Sequence, residues 1–221
     1  MTDRLAIVPS EKALSQLPRM PVRADGKATY DKVLDAVDAF LRDNDPDEIS
    51  LNEMAEKTSL PVASVYHLFP NPEAAAAALT MRYVERAADE IMSKQSATTA
   101  EGWQGVVYQI FHRGRAFYAK YPAAMKLRLG SSQSAGVRHV ILQSTWRLAE
   151  IIVSELERLF RMPNTTGLVD ELAYAIIISD ALWSLSIELH GEITDDMAEQ
   201  AEQAVSALLE PLFGTTLPVR A

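Results

Sequence analysis

Between Glu101 and Glu150 the chain has no carboxylate, yet that stretch carries Arg113, Arg115, Lys120, Lys126, Arg128, Arg138 and Arg147. A one-sign segment of this kind could face an anionic ligand. The blander reading is a solvated face compensated by acidic neighbours. Aromatic residues interleave with these cations and continue beyond them. A ligand pocket between helices needs such an apolar lining with a few polar groups, and ordinary core has the same composition. The candidate lining is Trp103, Phe111, Phe117, Met125, Trp146 and Tyr174. Arg128 or Arg147 would hold an anionic or strongly hydrogen-bonding end of an otherwise hydrophobic or amphipathic molecule, since guanidinium suits carboxylate and phosphate geometry. His112 and His139 could hydrogen-bond a ligand, although a lone His on an amphipathic helix is more often a structural group.

Other chemistries are excluded. Without Cys there are no disulfides, zinc-thiolate sites or cysteine nucleophiles. No His/Asp/Glu spacing resembles a metal site, and there is no nucleophile elbow, phosphate-cradling Gly-rich loop or usefully spaced carboxylate pair. The expectation is a protein that is not an enzyme and needs no cofactor. Asp3, Pro9, Glu11 and Pro18 leave no apolar region for a signal peptide. No uninterrupted apolar run approaches the ~20 residues that span a bilayer, so the reading is soluble and cytoplasmic, with no membrane partner. The formal net charge of −9 argues against broad, non-specific nucleic-acid binding.

Helices must position these residues. Residues 1–26, with Pro9, Pro18, Pro21 and scattered Arg, read as a flexible arm. From Lys27 a helical period places Val33, Leu34, Val37, Phe40 and Leu41 on one face, and Asn44, Asp45 and Pro46 end it. Ser50 stands where an N-cap belongs, with Glu53 at capping-box spacing, opening a short helix from Leu51 to Thr58. Pro61 suits the first turn of another, which stops before Pro70. Pro72 starts a helix that runs through Ala74–Ala78 to about Lys94. Helical stretches follow at about 102–120, 122–130, 135–161, 167–190 and 194–213. No strand alternation appears, so the chain reads as all-α.

Two short helices joined by a tight turn and held by a preceding amphipathic helix form a DNA-reading helix-turn-helix. The residues Ile49-Ser50-Leu51-Asn52-Glu53-Met54-Ala55, then Leu60-Pro61-Val62-Ala63-Ser64-Val65-Tyr66-His67-Leu68-Phe69, then Asn71-Pro72-Glu73, resemble the N-terminal domain of the TetR family of transcriptional regulators. The resemblance covers residues from about 27 to 80, and the remainder matches only in architecture. It implies a three-helix DNA-binding domain at 27–72 and a helical ligand-binding and dimerisation domain at 73–221. It also implies that Ser50 contacts a phosphate at the start of the second helix, a role that can coexist with capping. Val62 and Ala63 would approach base edges, where small apolar side chains suit thymine methyl groups. Ser64, Tyr66 and His67 would hydrogen-bond phosphates and fix register; Tyr66 and His67 also have packing readings. The chain departs from the family pattern at Ser59, where Gly is usual in the turn, and at Pro72, where a phosphate-binding Lys is usual.

Residues 167–190 are too apolar for a surface helix, and 197–213 adds a second apolar face. Paired with the same helices of another chain they would form an obligate homodimer through about 167–213, setting two reading heads on a palindromic double-stranded operator. The expected function is a ligand-responsive repressor released by a small effector. The alternative is a helical dimer of the same fold with weak or lost DNA binding that acts through protein contacts.

Overall fold

The structure is a computed structural model and describes residues 7–92, 102–163 and 167–220. Among these the chain is all-α, with ten helices and no strand. The helices fall into two compact units. One comprises Ile7–Glu85 and Tyr121–Leu142; the other comprises the described residues of Arg86–Lys120 and Gln143–Ala221. The first unit therefore includes segments 73–85 and 121–142, which the sequence reading placed in the C-terminal domain.

In the first unit, α1 (Glu11–Ser15) precedes α2 (Ala24–Phe40), α3 (Leu51–Thr58), α4 (Val62–Leu68) and the first part of α5 (Pro72–Met92). The expected apolar face of α2 is present: Val33, Leu34, Val37 and Leu41 are all buried, and Leu51, Met54 and Ala55 of α3 pack with them. Ala74 to Leu79 are buried without exception, so the alanine run is a packing device that admits close neighbours. α7 (Pro122–Leu129) joins this unit, its Lys126 donating to the Asn44 carbonyl at 2.9 Å. The segment read as a mobile arm differs from that expectation. It contains α1, with Ala13 and Gln16 buried, because short polar tethers compensate for its lack of apolar periodicity.

α3 ends in a Schellman motif. Leu60 N–H donates to the Ala55 carbonyl at 2.9 Å and Ser59 N–H to that of Glu56 at 3.0 Å. This places Ser59 at φ 53°, the one positive-φ residue other than glycine among those described. Ser50 caps α3 as expected, accepting from the Glu53 N–H at 3.4 Å. The Glu53 carboxylate pairs with Lys57 at 2.7 Å.

The second unit contains α6 (Gly102–Lys120), most of α8 (Ala135–Leu159), α9 (Leu168–His190) and α10 (Asp195–Phe213). α9 and α10 form an antiparallel pair. Gly191 in the left-handed region turns the chain, and Ser186 Oγ both donates to the Glu192 carbonyl at 2.7 Å and accepts from Thr194 N–H at 3.0 Å. By length and composition α9 is apolar enough to cross a membrane, although charged residues interrupt it, so it contains no uninterrupted apolar run of that length. Asp170, Glu171 and Asp180 lie within it, and Leu172, Ala173, Ile176 and Trp183 are buried inside the protein.

A side chain at positive φ crowds its own backbone, by roughly 1–2 kcal/mol for an L-residue. Part of that gain is offset when glycine is installed, because glycine loses more freedom on folding. Ser59→Gly is therefore expected to stabilise the chain by about 0.5–1 kcal/mol in chemical denaturation; a loss of stability would contradict this account of the turn.

Candidate nucleic-acid interface

Helix α4 has two faces. Val65, Leu68 and the following Phe69 are buried, and Phe69 stacks on Tyr30 of α2 with ring centroids 4.9 Å apart. Burial pushes the Tyr30 phenol up to about 12, with the charge of Asp31 adding to the effect, and its hydroxyl donates to Met20 Sδ at 3.3 Å. On the other face Val62 is 47% and Tyr66 41% exposed. Ala63 and His67 are exposed as well, and Ser64 is half-buried. Positions 62, 63, 66 and 67 share one arc of a helix, so the structure gathers four of the six sequence-predicted DNA residues on a single solvent-facing surface. Ser64 lies at its border. Ser50 caps α3, and a hydroxyl that accepts one bond still has a hydrogen to donate. Among the described residues the Tyr66 hydroxyl and the His67 ring have no hydrogen-bond partner.

The charge around this face is unusual. α4 contains no Lys or Arg. Lys57 of α3 is paired with Glu53 and lies over the Phe40 ring at 5.1 Å. A guanidinium comes instead from the segment before α2: Arg19 N–H donates to the Leu68 carbonyl at 2.8 Å, and its Nη1 lies 3.4 Å from the His67 carbonyl. The sequence reading missed Arg19, because nothing local to Pro18-Arg19-Met20-Pro21 signals a partner nearly fifty residues away.

The residues proposed to line a ligand pocket do not converge. Trp103 Nε1 donates to the Gly214 carbonyl at 3.0 Å and the ring packs edge-on against Phe213, holding the C-terminal tail. Trp146 Nε1 donates to Asp170 at 2.7 Å, and its ring packs edge-on against Tyr174. Phe117 is buried beside Tyr118. Met125 and Arg128 belong to the first unit, apart from the rest. Arg147 is exposed, His112 is exposed and stacked on Tyr108, and His139 is buried in the first unit. Phe111 lines a cleft of about 330 Å³ between α6 and α10. Gln104, Tyr108, Glu202 and Ser206 are its polar lining. Burial raises the Glu202 carboxyl above its ordinary value, His112 lowers it, Glu199 raises it and Arg115 lowers it. Gln104 and Glu202 were not singled out from sequence, although a carboxylate one turn from apolar Val205 and two turns from Leu209 was an available signal.

Among the described residues of the second unit, Ser179 Oγ and Trp183 Nε1, one turn apart on α9, are buried donors with no partner. Phe111 and Tyr118 meet the Trp183 ring edge-on. Buried polar groups left unpaired are rare and call for an acceptor from outside the chain, a water or a ligand. Among the described residues no group of three or more His, Cys, Asp or Glu could hold a metal.

No protein-family model matches the chain, and no curated protein matches it in sequence. Solved structures do. A TetR-family transcriptional regulator from Streptomyces coelicolor superposes with a TM-score of 0.62 at 21% identity, over 85% of this chain and 98% of that one. A TetR transcriptional regulator from Rhodococcus sp. RHA1 gives a TM-score of 0.61 at 15% identity, over 83% and 96%. At these identities the likeness is one of fold: this chain has the fold of TetR-family transcriptional regulators.

Proposed function

We propose that this chain is a cytoplasmic, non-enzymatic transcriptional regulator that binds a palindromic operator as a homodimer and releases it when a small molecule binds. The observation that carries the DNA reading is the exposed arc of α4. Tyr66 is 41% exposed there, and among the described residues its hydroxyl has no partner, so it is open to accept or donate a bond to a docked group. Tyr66, His67, Ser64 and Ser50 would hold phosphates and so set register, while Val62 and Ala63 meet base edges.

The homodimer reading rests on α9. Tyr174, Ile177, Ile178, Leu185 and Leu189 are all exposed, and they recur at helical spacing along one side of a helix whose other side buries Leu172, Ala173, Ile176 and Trp183. A continuous apolar stripe of this length needs a cover, and a second copy related by a two-fold axis places a like stripe against it. For the effector, the cleft at Phe111 and the unpaired Ser179 and Trp183 donors favour a hydrophobic or amphipathic molecule bearing a hydrogen-bond acceptor. Release of DNA then requires that this molecule bind the non-operator arrangement of the heads more tightly than the operator-bound one.

Tyr66→Phe is expected to weaken binding to a duplex from the region upstream of the protein's own gene by about 0.5–3 kcal/mol, the range of one hydrogen bond, neutral to charge-assisted. Its denaturation midpoint should stay unchanged, because no intramolecular bond is lost. Unaltered affinity in a mobility-shift titration at matched salt would assign Tyr66 no part in DNA binding. Leu185→Arg sets a charge into the proposed seam, where an unpaired buried charge costs several kcal/mol. Sedimentation should find a monomer; a folded variant that remains dimeric would reject the α9 stripe as the interface.

A further inference from the structure

The segment from Ser10 to Pro21 lies outside the helix-turn-helix and is fastened at three points, one at the end of α4, one in the turn that follows it and one on α8. Arg19 N–H donates to the Leu68 carbonyl at the end of α4, at 2.8 Å. Asn71, in the turn between α4 and α5, does double duty: its Oδ1 accepts from Ala74 N–H at 2.9 Å, capping α5, and its Nδ2 donates to the Ser15 carbonyl at 2.8 Å. Gln16 is buried, and its Oε1 accepts from Gly136 N–H at 2.9 Å. Glycine is required there, since a Cβ at residue 136 would stand 2.6 Å from the Gln16 carbonyl oxygen. The segment is thus a strap with a fixed course, and it delivers an exposed guanidinium to the end of α4 that bears Tyr66 and His67.

Charge gives that placement a purpose. DNA affinity is dominated by neutralising phosphates, yet α4 brings no Lys or Arg and the Lys57 ammonium is already paired. Residues 1–70 carry 8 Lys/Arg against 12 Asp/Glu, a negative balance that a cation aimed at the phosphates would offset. Arg19 is in no ion pair among the described residues, and its Nη1 reaches the backbone carbonyl of His67, whose side chain faces solvent. We propose that Arg19 is a DNA-phosphate-binding residue, held by the strap so that its guanidinium clamps the backbone beside the phosphates met by Tyr66 and His67. This rests on the DNA-binding reading and extends the interface to a segment outside the helix-turn-helix.

The test is the salt dependence of binding, measured by fluorescence anisotropy with the full chain on the duplex from upstream of its own gene. Each phosphate contact contributes about 0.9 to the slope of log K against log salt. Arg19→Ala should flatten the slope by about 0.9 per protomer, or about twice that for a dimer, while Arg19→Lys retains most of it. Arg158→Ala, in the other unit and paired with Glu155, should leave the slope unchanged and so controls for net charge. Gly136→Ala, which displaces the strap without touching DNA, should flatten the slope as Arg19→Ala does while retaining helical circular dichroism. If the wild type binds and Arg19→Ala keeps its slope and affinity, the inference is overturned and the regulator reading stands. A wild type that binds no duplex overturns both.

Discussion

A helix of seven residues cannot stand alone in water, and the architecture of the first unit follows from that constraint. α4 exists because Val65, Leu68 and Phe69 are buried, with Phe69 stacked on Tyr30 of α2. Fully burying side chains of this kind is worth roughly 1.5–3 kcal/mol each, more than the cost of nucleating two turns. That same burial fixes the rotation of the helix about its axis and so decides which residues remain outside. Val62, Ala63, Tyr66 and His67 are exposed because the opposite face is committed to the core. Function at this surface is therefore a by-product of packing on the other side, and changes to the core beneath would misplace all four together.

The constraint propagates outward. To hold α4 at a fixed angle to α3, the chain between them must reverse within a few residues, and it does so through a Schellman motif that places Ser59 in the left-handed region. At its far end α4 cannot continue into Pro70, and Asn71 restarts the chain by capping α5. The strap is tied to this restart and to the last carbonyls of α4. Electrostatics are arranged around the same short helix. If the exposed face of α4 reads DNA as proposed, an acidic protein with no Lys or Arg on that helix would depend on hydrogen-bond donors and on a cation brought from elsewhere in the chain, which favours register and discrimination over indiscriminate attraction.

Much of this unit was legible in the sequence because its signals are local. Ser50 three residues before Glu53, Pro61 after a turn, Pro70 as a stop and Pro72 as a restart each act within one helical turn; the expected bounds 51–58 are those of α3, and α4 at 62–68 lies just inside the span expected between Pro61 and Pro70. The apolar period of α2 was similarly readable. What could not be read was pairing between distant segments. Gln16 with Gly136, Ser15 with Asn71 and Arg19 with Leu68 are polar contacts to backbone groups, and no periodicity announces them, so a tethered segment read as a loose arm. Periodicity likewise gives each C-terminal helix its faces without naming their partners. Trp103 and Trp146 were read as ligand-pocket lining, but their indole N–H groups are committed to Gly214 and Asp170, while the unpaired indole donor among the described residues is Trp183. Met125 and Arg128 fell in the other unit because α7 is fastened through Lys126 to Asn44, a contact with no sequence signature.

The central claim is that the exposed arc of α4 reads DNA in pairs. Hydroxyl-radical footprinting of the full chain on the duplex upstream of its own gene tests it most directly. The account predicts two protected patches related by two-fold symmetry, separated by about one helical turn of DNA, roughly 34–36 Å, or a multiple of it. Protection that is uniform along the duplex, or no stronger than on a scrambled sequence of the same length, would contradict it.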